Sequence, residues 1–261
     1  MKTFQAIFII ICLALTSQAY SFEGYEKYPM KGNSIFPLTD VDVKLSEISV
    51  LMERTKQRGR ATKVTAEYML ENLGSKEINF NIAFPVESNH VDLTRMPDYF
   101  EVSVDNKAIQ TSTSKIMSKD FFSRIHKAQN VESQRKIRDY EIELITWEVS
   151  FKPKEKKKIT TTYTMEWLLD PGIELLDHKL SVLYLWKRTI DKAYFRLILP
   201  QKLIDNIKAQ DPSIWPQISI FPKQYQIKDH ALEWFFKDLK KEKIYHIRVS
   251  VNYRKPGVIG D

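Results

Sequence analysis

Residues 76–86, KEINFNIAFPV, place Ile78, Phe80, Ile82 and Phe84 on alternate positions with Asn79 and Asn81 between them, and Pro85 ends the run. A period of two belongs to a strand with one face in a core, whereas a helix gathers residues three and four apart. The pattern recurs along the chain. Val64, Ala66, Tyr68 and Leu70 alternate with Thr65, Glu67 and Met69, and Phe100, Val102 and Val104 make a shorter run. Ile145, Trp147, Val149 and Phe151 line one face of a longer strand, followed by Ile159, Thr161, Tyr163, Met165 and Trp167. Near the end, Tyr245, Ile247, Val249, Val251 and Tyr253 face one way, with His246, Arg248 and Ser250 facing the other.

Turn signals separate these runs. Residues 71–75 turn the strand before them back toward Ile78 as a hairpin, Asp105-Asn106 supplies a tight turn, and the polar stretch 152–158 returns one strand into the next. Val41, Val43 and Leu45 are in one register while Ile48, Val50 and Met52 are in the other, which predicts a bulge or bend near Ser46 and Glu47. Asp170-Pro171-Gly172 interrupts the pattern, and strands resume at 180–186, 193–199, 218–221, 232–236 and 244–253. Helical spacing is confined to 118–138 and to 201–209, which follows Pro200.

Several short strands without regular alternation with helices predict a mainly β chain. The expected architecture is two antiparallel β-sandwich-like domains after a cleaved signal peptide, with one or two short helices. The expected division is a signal peptide at 1–19, an N-terminal extension at 20–40, a first sandwich at 41–169, a second β-rich domain at 170–255 and a tail at 256–261.

The start of the chain sets the expected compartment. Lys2 precedes an apolar run, 4–15, that is too short to span a bilayer and is followed by small and polar residues. Cleavage is expected after Ala19, with Ser21 as the other fitting site. The single cysteine, Cys12, lies inside that segment, so the mature chain has no thiol for disulfides, metal ligation or nucleophilic attack. A secreted chain without disulfides suits a bacterial periplasm or secretion better than an animal extracellular fluid. The net charge of +7 is mild and spread over the length, as on a solvated lysine-rich surface.

The segments LSEISVLME, TKVTAEYMLENLGSKEINFNIAFPV, YFEVSVDNKAI, ITWEVSFKPKEKKKITTTYTMEWL, LYLWKRTIDKAYFRLILP and ALEWFFKDLKKEKIYHIRV resemble, in that order, a group of secreted bacterial β-rich proteins catalogued only as a domain of unknown function. The resemblance runs over residues 41–251 and implies an exported β-rich protein. It brings no activity and no catalytic residue. The chain departs from the group in being poor in glycine, in carrying Lys154-Glu155 where a Pro-Gly turn is usual, and in its long basic segment 115–140.

The chemistry available is narrow. Seven glycines assemble no phosphate-cradling loop, no dinucleotide fingerprint and no G-x-S-x-G elbow. The five histidines, His90, His126, His178, His230 and His246, form no paired ligand motif, so neither a metal nor a cofactor is expected. The acidic stretch MEWLLDPGIELLDHK offers Asp170, Glu174, Asp177 and His178 as candidate catalytic residues, because two carboxylates at a suitable separation can act as acid and base on a glycosidic bond. Four tryptophans lie in strand patterns and read as core. Trp215, between Ile214 and Pro216, is the candidate for an exposed binding ring. Phe121 and Phe122, among basic residues of 115–138, are candidates for peripheral membrane contact. Nucleic-acid binding is not expected, since no dense basic face or recognition module is present. The expected function is an exported, non-enzymatic module binding an envelope protein or cell-wall polymer. The alternative is a hydrolase of an envelope glycan or peptide using the carboxylates near the junction.

Overall fold

The computed structural model describes residues 34–54, 61–86, 100–129, 140–170, 172–211, 213–239 and 246–254. The expected signal peptide, the C-terminal tail and His90 lie outside them. Strands dominate. Numbered along the chain, an eight-stranded sheet runs in the order β14 (Gln226–Lys228), β15 (Ala231–Leu239), β12 (Ile190–Ile198), β2 (Val43–Glu53), β3 (Ala61–Asn72), β9 (Lys156–Glu166), β5 (Phe100–Val104) and β6 (Lys107–Ala108). A four-stranded sheet has the order β1 (Phe36–Pro37), β4 (Ile78–Val86), β8 (Glu141–Phe151) and β7 (Ser112–Met117). The other has β10 (Leu168–Asp170), β11 (Ile173–Lys179), β16 (His246–Asn252) and β13 (Gln217–Phe221). Two helices, α1 (Ser118–Gln129) and α2 (Gln201–Ala209), complete the described elements with a 3-10 turn at Ser181–Leu185.

Both small sheets cover the same face of the large one. Register places Phe195, Val50, Ala66 and Thr161 side by side on that face, with Tyr163 one pair further along. Phe195 meets His178 of β11 at 5.7 Å between ring centroids, and Tyr163 meets Phe84 of β4 at 4.9 Å. The opposite face is polar and laced with ion pairs such as Lys192–Glu47 and Arg196–Glu233. One apolar core joins Trp147 and Phe151 of one cover to Leu176 and Val249 of the other. The boundary expected at Pro171 therefore does not separate the chain into independent sandwiches. Strand β12 pairs in parallel with β2, Phe195 opposite Val50, so the last third of the chain completes the sheet the first third began.

Two of the expected hairpins are corners. β3 and β4 lie in different sheets, as do β8 and β9, and the short linkers carry the chain from one layer to the next. Asn72 ties the corners together. Its side-chain amide donates to the carbonyls of Lys76 at 2.8 Å and Lys152 at 3.0 Å, and its oxygen accepts from the Gly74 N–H at 2.9 Å. The Asn72 N–H donates to the Glu155 carbonyl at 3.0 Å. Alternation at 64–70 and 78–84 is equally compatible with pairing or separation, and this buried amide decides for separation.

The other local expectations divide. The register of β2 against β3 shifts between Leu45 and Glu47, the bulge that the two apolar registers require. Asp105 and Asn106 both have positive φ and form the β5–β6 turn. Strand β4 runs through Pro85 to Val86, because β1 pairs only with Ala83 and Ile82 and leaves Pro85 at an effective edge where a missing N–H is tolerated. Residues 180–186 are not a strand. Leu180, Val182, Leu183, Tyr184 and Trp186 are all buried, and a turn that buries every side needs no alternation.

Candidate functional site

Two of the carboxylates suggested by the sequence, Glu174 and Asp177, are engaged within the fold. Along β11, Glu174, Leu176 and His178 point toward the large sheet while Asp177 points away, since side chains three apart in a strand lie on opposite faces. The Glu174 carboxylate accepts from the Arg54 guanidinium at 2.5 Å and from the Tyr253 hydroxyl at 3.1 Å. Arg54 is buried, with its guanidinium 4.2 Å from the centre of the Trp167 ring, whose N–H donates to Thr62 at 2.7 Å. Burial and the neighbouring Glu174 carboxylate raise the Tyr253 phenol above its ordinary pKa. Asp177 pairs with Arg248 at 2.9 Å on the other face. Asp170 is the last residue of β10, in register with Ile173. Glu174 and Asp177 thus share no cleft in which one could give a proton while the other takes one.

His178 is fully buried, and neither ring nitrogen meets a hydrogen-bond partner among the described residues. Burial lowers its pKa from 6.5 to about 4, against an opposing pull from Asp177. It is a neutral core ring set edge-on to Phe195. Among the described residues, no three His, Cys, Asp or Glu side chains come together to hold a metal ion. No described helix is long and apolar enough to cross a membrane.

Phe121, a candidate for membrane contact, lies inside the protein. Its ring is 5.4 Å from that of Phe36 and 5.5 Å from that of Phe122, which is half-buried. Arg124 of the same helix donates to the Pro37 carbonyl at 2.9 Å. Helical spacing put Phe121 and Ile125 on one face, and that face packs inward.

An open cleft of about 960 Å³ lies between α2, β13 and the approach to β14. Helix α2 starts at Pro200, whose carbonyl accepts from the Leu203 and Ile204 N–H groups, and buries Leu203, Ile204 and Ile207. Gln210 closes it in the left-handed conformation. Asp211 then accepts from both the N–H and the hydroxyl of Ser213, which holds its carboxyl below the usual range. Asn206 donates to the Pro216 carbonyl at 3.3 Å and ties the helix to the start of β13. Ile218 and Ile220, opposite Val251 and Val249, supply the apolar floor with Tyr225 and Ile227, while Asn206, Lys208, Ser219 and Lys223 supply polar groups.

Trp215 is half-buried between Ile214 and Pro216, two residues that line the cleft. The isoleucines of β13 were visible only as strand residues, because nothing in their alternation says that a space remains above them. The other tryptophans are buried, and Trp234 donates to the Pro222 carbonyl at 3.0 Å beside the cleft.

No protein-family model matches the chain, and no curated protein matches it in sequence. Among solved structures, the fold is similar to that of a provisionally described nutrient binding protein from Legionella pneumophila, with a TM-score of 0.60 and 15% identity over 84% of this chain and 70% of that one. An M1 zinc metallopeptidase from Deinococcus radiodurans overlaps far less well, at a TM-score of 0.37 and 5% identity, and this chain spans 44% of its length. The likeness to the Legionella protein is one of fold.

Proposed function

We propose that the chain is an exported, non-enzymatic binding module that takes its ligand in the cleft between α2, β13 and β14. The cleft itself carries this reading: its volume of about 960 Å³ is that of a ligand site, and its isoleucine and tyrosine side chains stand beside an equal share of polar groups that can orient a guest. Two of the carboxylates that a hydrolase would use, Glu174 and Asp177, are instead tied to Arg54 and Arg248. The nutrient-binding description of the Legionella protein supports the same class of function.

The test is a thermal-shift screen of the purified mature chain against amino acids, sugars, short peptides and soluble cell-wall fragments, with Ile218→Gln as the cleft variant and circular dichroism to verify its fold. At least one compound is expected to stabilise the native chain and to lose its effect in the variant. A screen without stabilisation, joined to a pull-down from envelope extract that returns nothing above background, would overturn the reading.

A further inference from the structure

We infer that the occupant of the cleft is an extended peptide segment with acidic side chains, which adds itself as a strand along the outer edge of β13. This rests on the reading of the cleft as the binding site. Among the described residues β13 is the terminal strand of its sheet and pairs with β16 on one side. Four successive residues of it, Gln217, Ile218, Ser219 and Ile220, line the cleft. Successive strand side chains point to opposite faces, so a space that touches four in a row runs along the strand's edge, where backbone N–H and C=O groups are presented. A small ligand resting on one face would meet every second residue.

Across the cleft, Ile227 comes from β14, the terminal strand of the eight-stranded sheet, so the edges of two sheets bound the same space. Main-chain pairing along β13 supplies affinity, and alternate side chains of the guest reach Ile218 and Ile220. The charge at the mouth selects among guests. Lys208 and Lys223 are exposed, neither forms an ion pair among the described residues, and together they outnumber the single carboxylate of Asp211, which Ser213 holds in its charged form. The mouth therefore favours an acidic segment over a basic one.

The probes are three pools of fluorescent octapeptides of equal composition. In the first, acidic and apolar residues alternate. In the second they are blocked, acidic then apolar. The third repeats the first with N-methyl groups on alternate amides, which removes the donors a strand needs. The alternating pool is expected to bind at least about tenfold more tightly than either control, the loss expected when two or more backbone hydrogen bonds are withheld. Lys208→Gln with Lys223→Gln, on exposed positions that leave the core untouched, is expected to weaken that binding by a similar factor and to remove most of its salt dependence. Equal binding of all three pools, or none by the alternating pool, overturns strand addition. If the pools fail while a small molecule from the screen binds in an Ile218-dependent way, the cleft remains a binding site with another ligand. If both fail, both readings fall.

Discussion

His178 and Arg54 are two polar side chains buried on opposite terms. His178 is neutral and has no hydrogen-bond partner among the described residues, so acid should loosen the fold through it. Below pH 6.5 the unfolded chain takes up a proton that the buried ring refuses until about pH 4. Stability is fully present above pH 6.5 and declines as the pH falls through that window, by about 3 kcal/mol in total. Replacing the ring with His178→Phe should flatten this limb of the profile. Urea unfolding of both proteins at pH 7, 5.5 and 4.5 measures the difference, and parallel slopes would refute the assignment. Arg54 is buried against the Glu174 carboxylate. Truncating that partner in Glu174→Ala leaves a buried guanidinium short of its counter-charge and should cost about 3 kcal/mol. Because Glu174 lies in the fold's interior pairing and not in the cleft, a folded Glu174→Ala protein should bind ligand with unchanged affinity. Titration calorimetry beside denaturant unfolding separates the two effects.

Among the elements, the two corners turn on Asn72, which makes four hydrogen bonds through its side chain within two crossing linkers. Asn72→Ala would strand the carbonyls of Lys76 and Lys152 and should cost about 2 kcal/mol. Thermal unfolding reads the loss, and a change near zero would show that the linkers hold themselves. The corners also show why some of the fold was legible and some was not. Alternation is a property of a strand's own residues, so the bulge at Ser46, the Asp105-Asn106 turn and helix α2 could all be read from local spacing. Partnership is a property of two strands, and the alternation of β3 and β4 holds no record of which neighbour each will take. The same limit explains 180–186, where apolar density without a partner mimicked a strand. The site followed this division: Trp215 stood out because its surroundings broke the pattern, while Ile218 and Ile220 are distinguished from core residues only by what fails to cover them.

For the whole molecule, a single large sheet with two partial covers implies joint unfolding. The core runs on from one cover to the other, and the β2–β12 pairing makes the central sheet common property. Urea unfolding followed by tryptophan fluorescence and by far-ultraviolet circular dichroism should give coincident transitions. Two resolved steps would restore a division near Pro171. Export has its own check, since N-terminal sequencing of protein recovered outside the cytoplasm should start at Tyr20 or Phe22. The parallel pairing of β2 with β12 has a temporal consequence too. Residues 47–53 find their neighbour about 145 positions later, at 192–198, so loop closure of that span precedes completion of the sheet. Until residues 192–198 have been made, β2 has β3 on one side and an open edge on the other among the described strands.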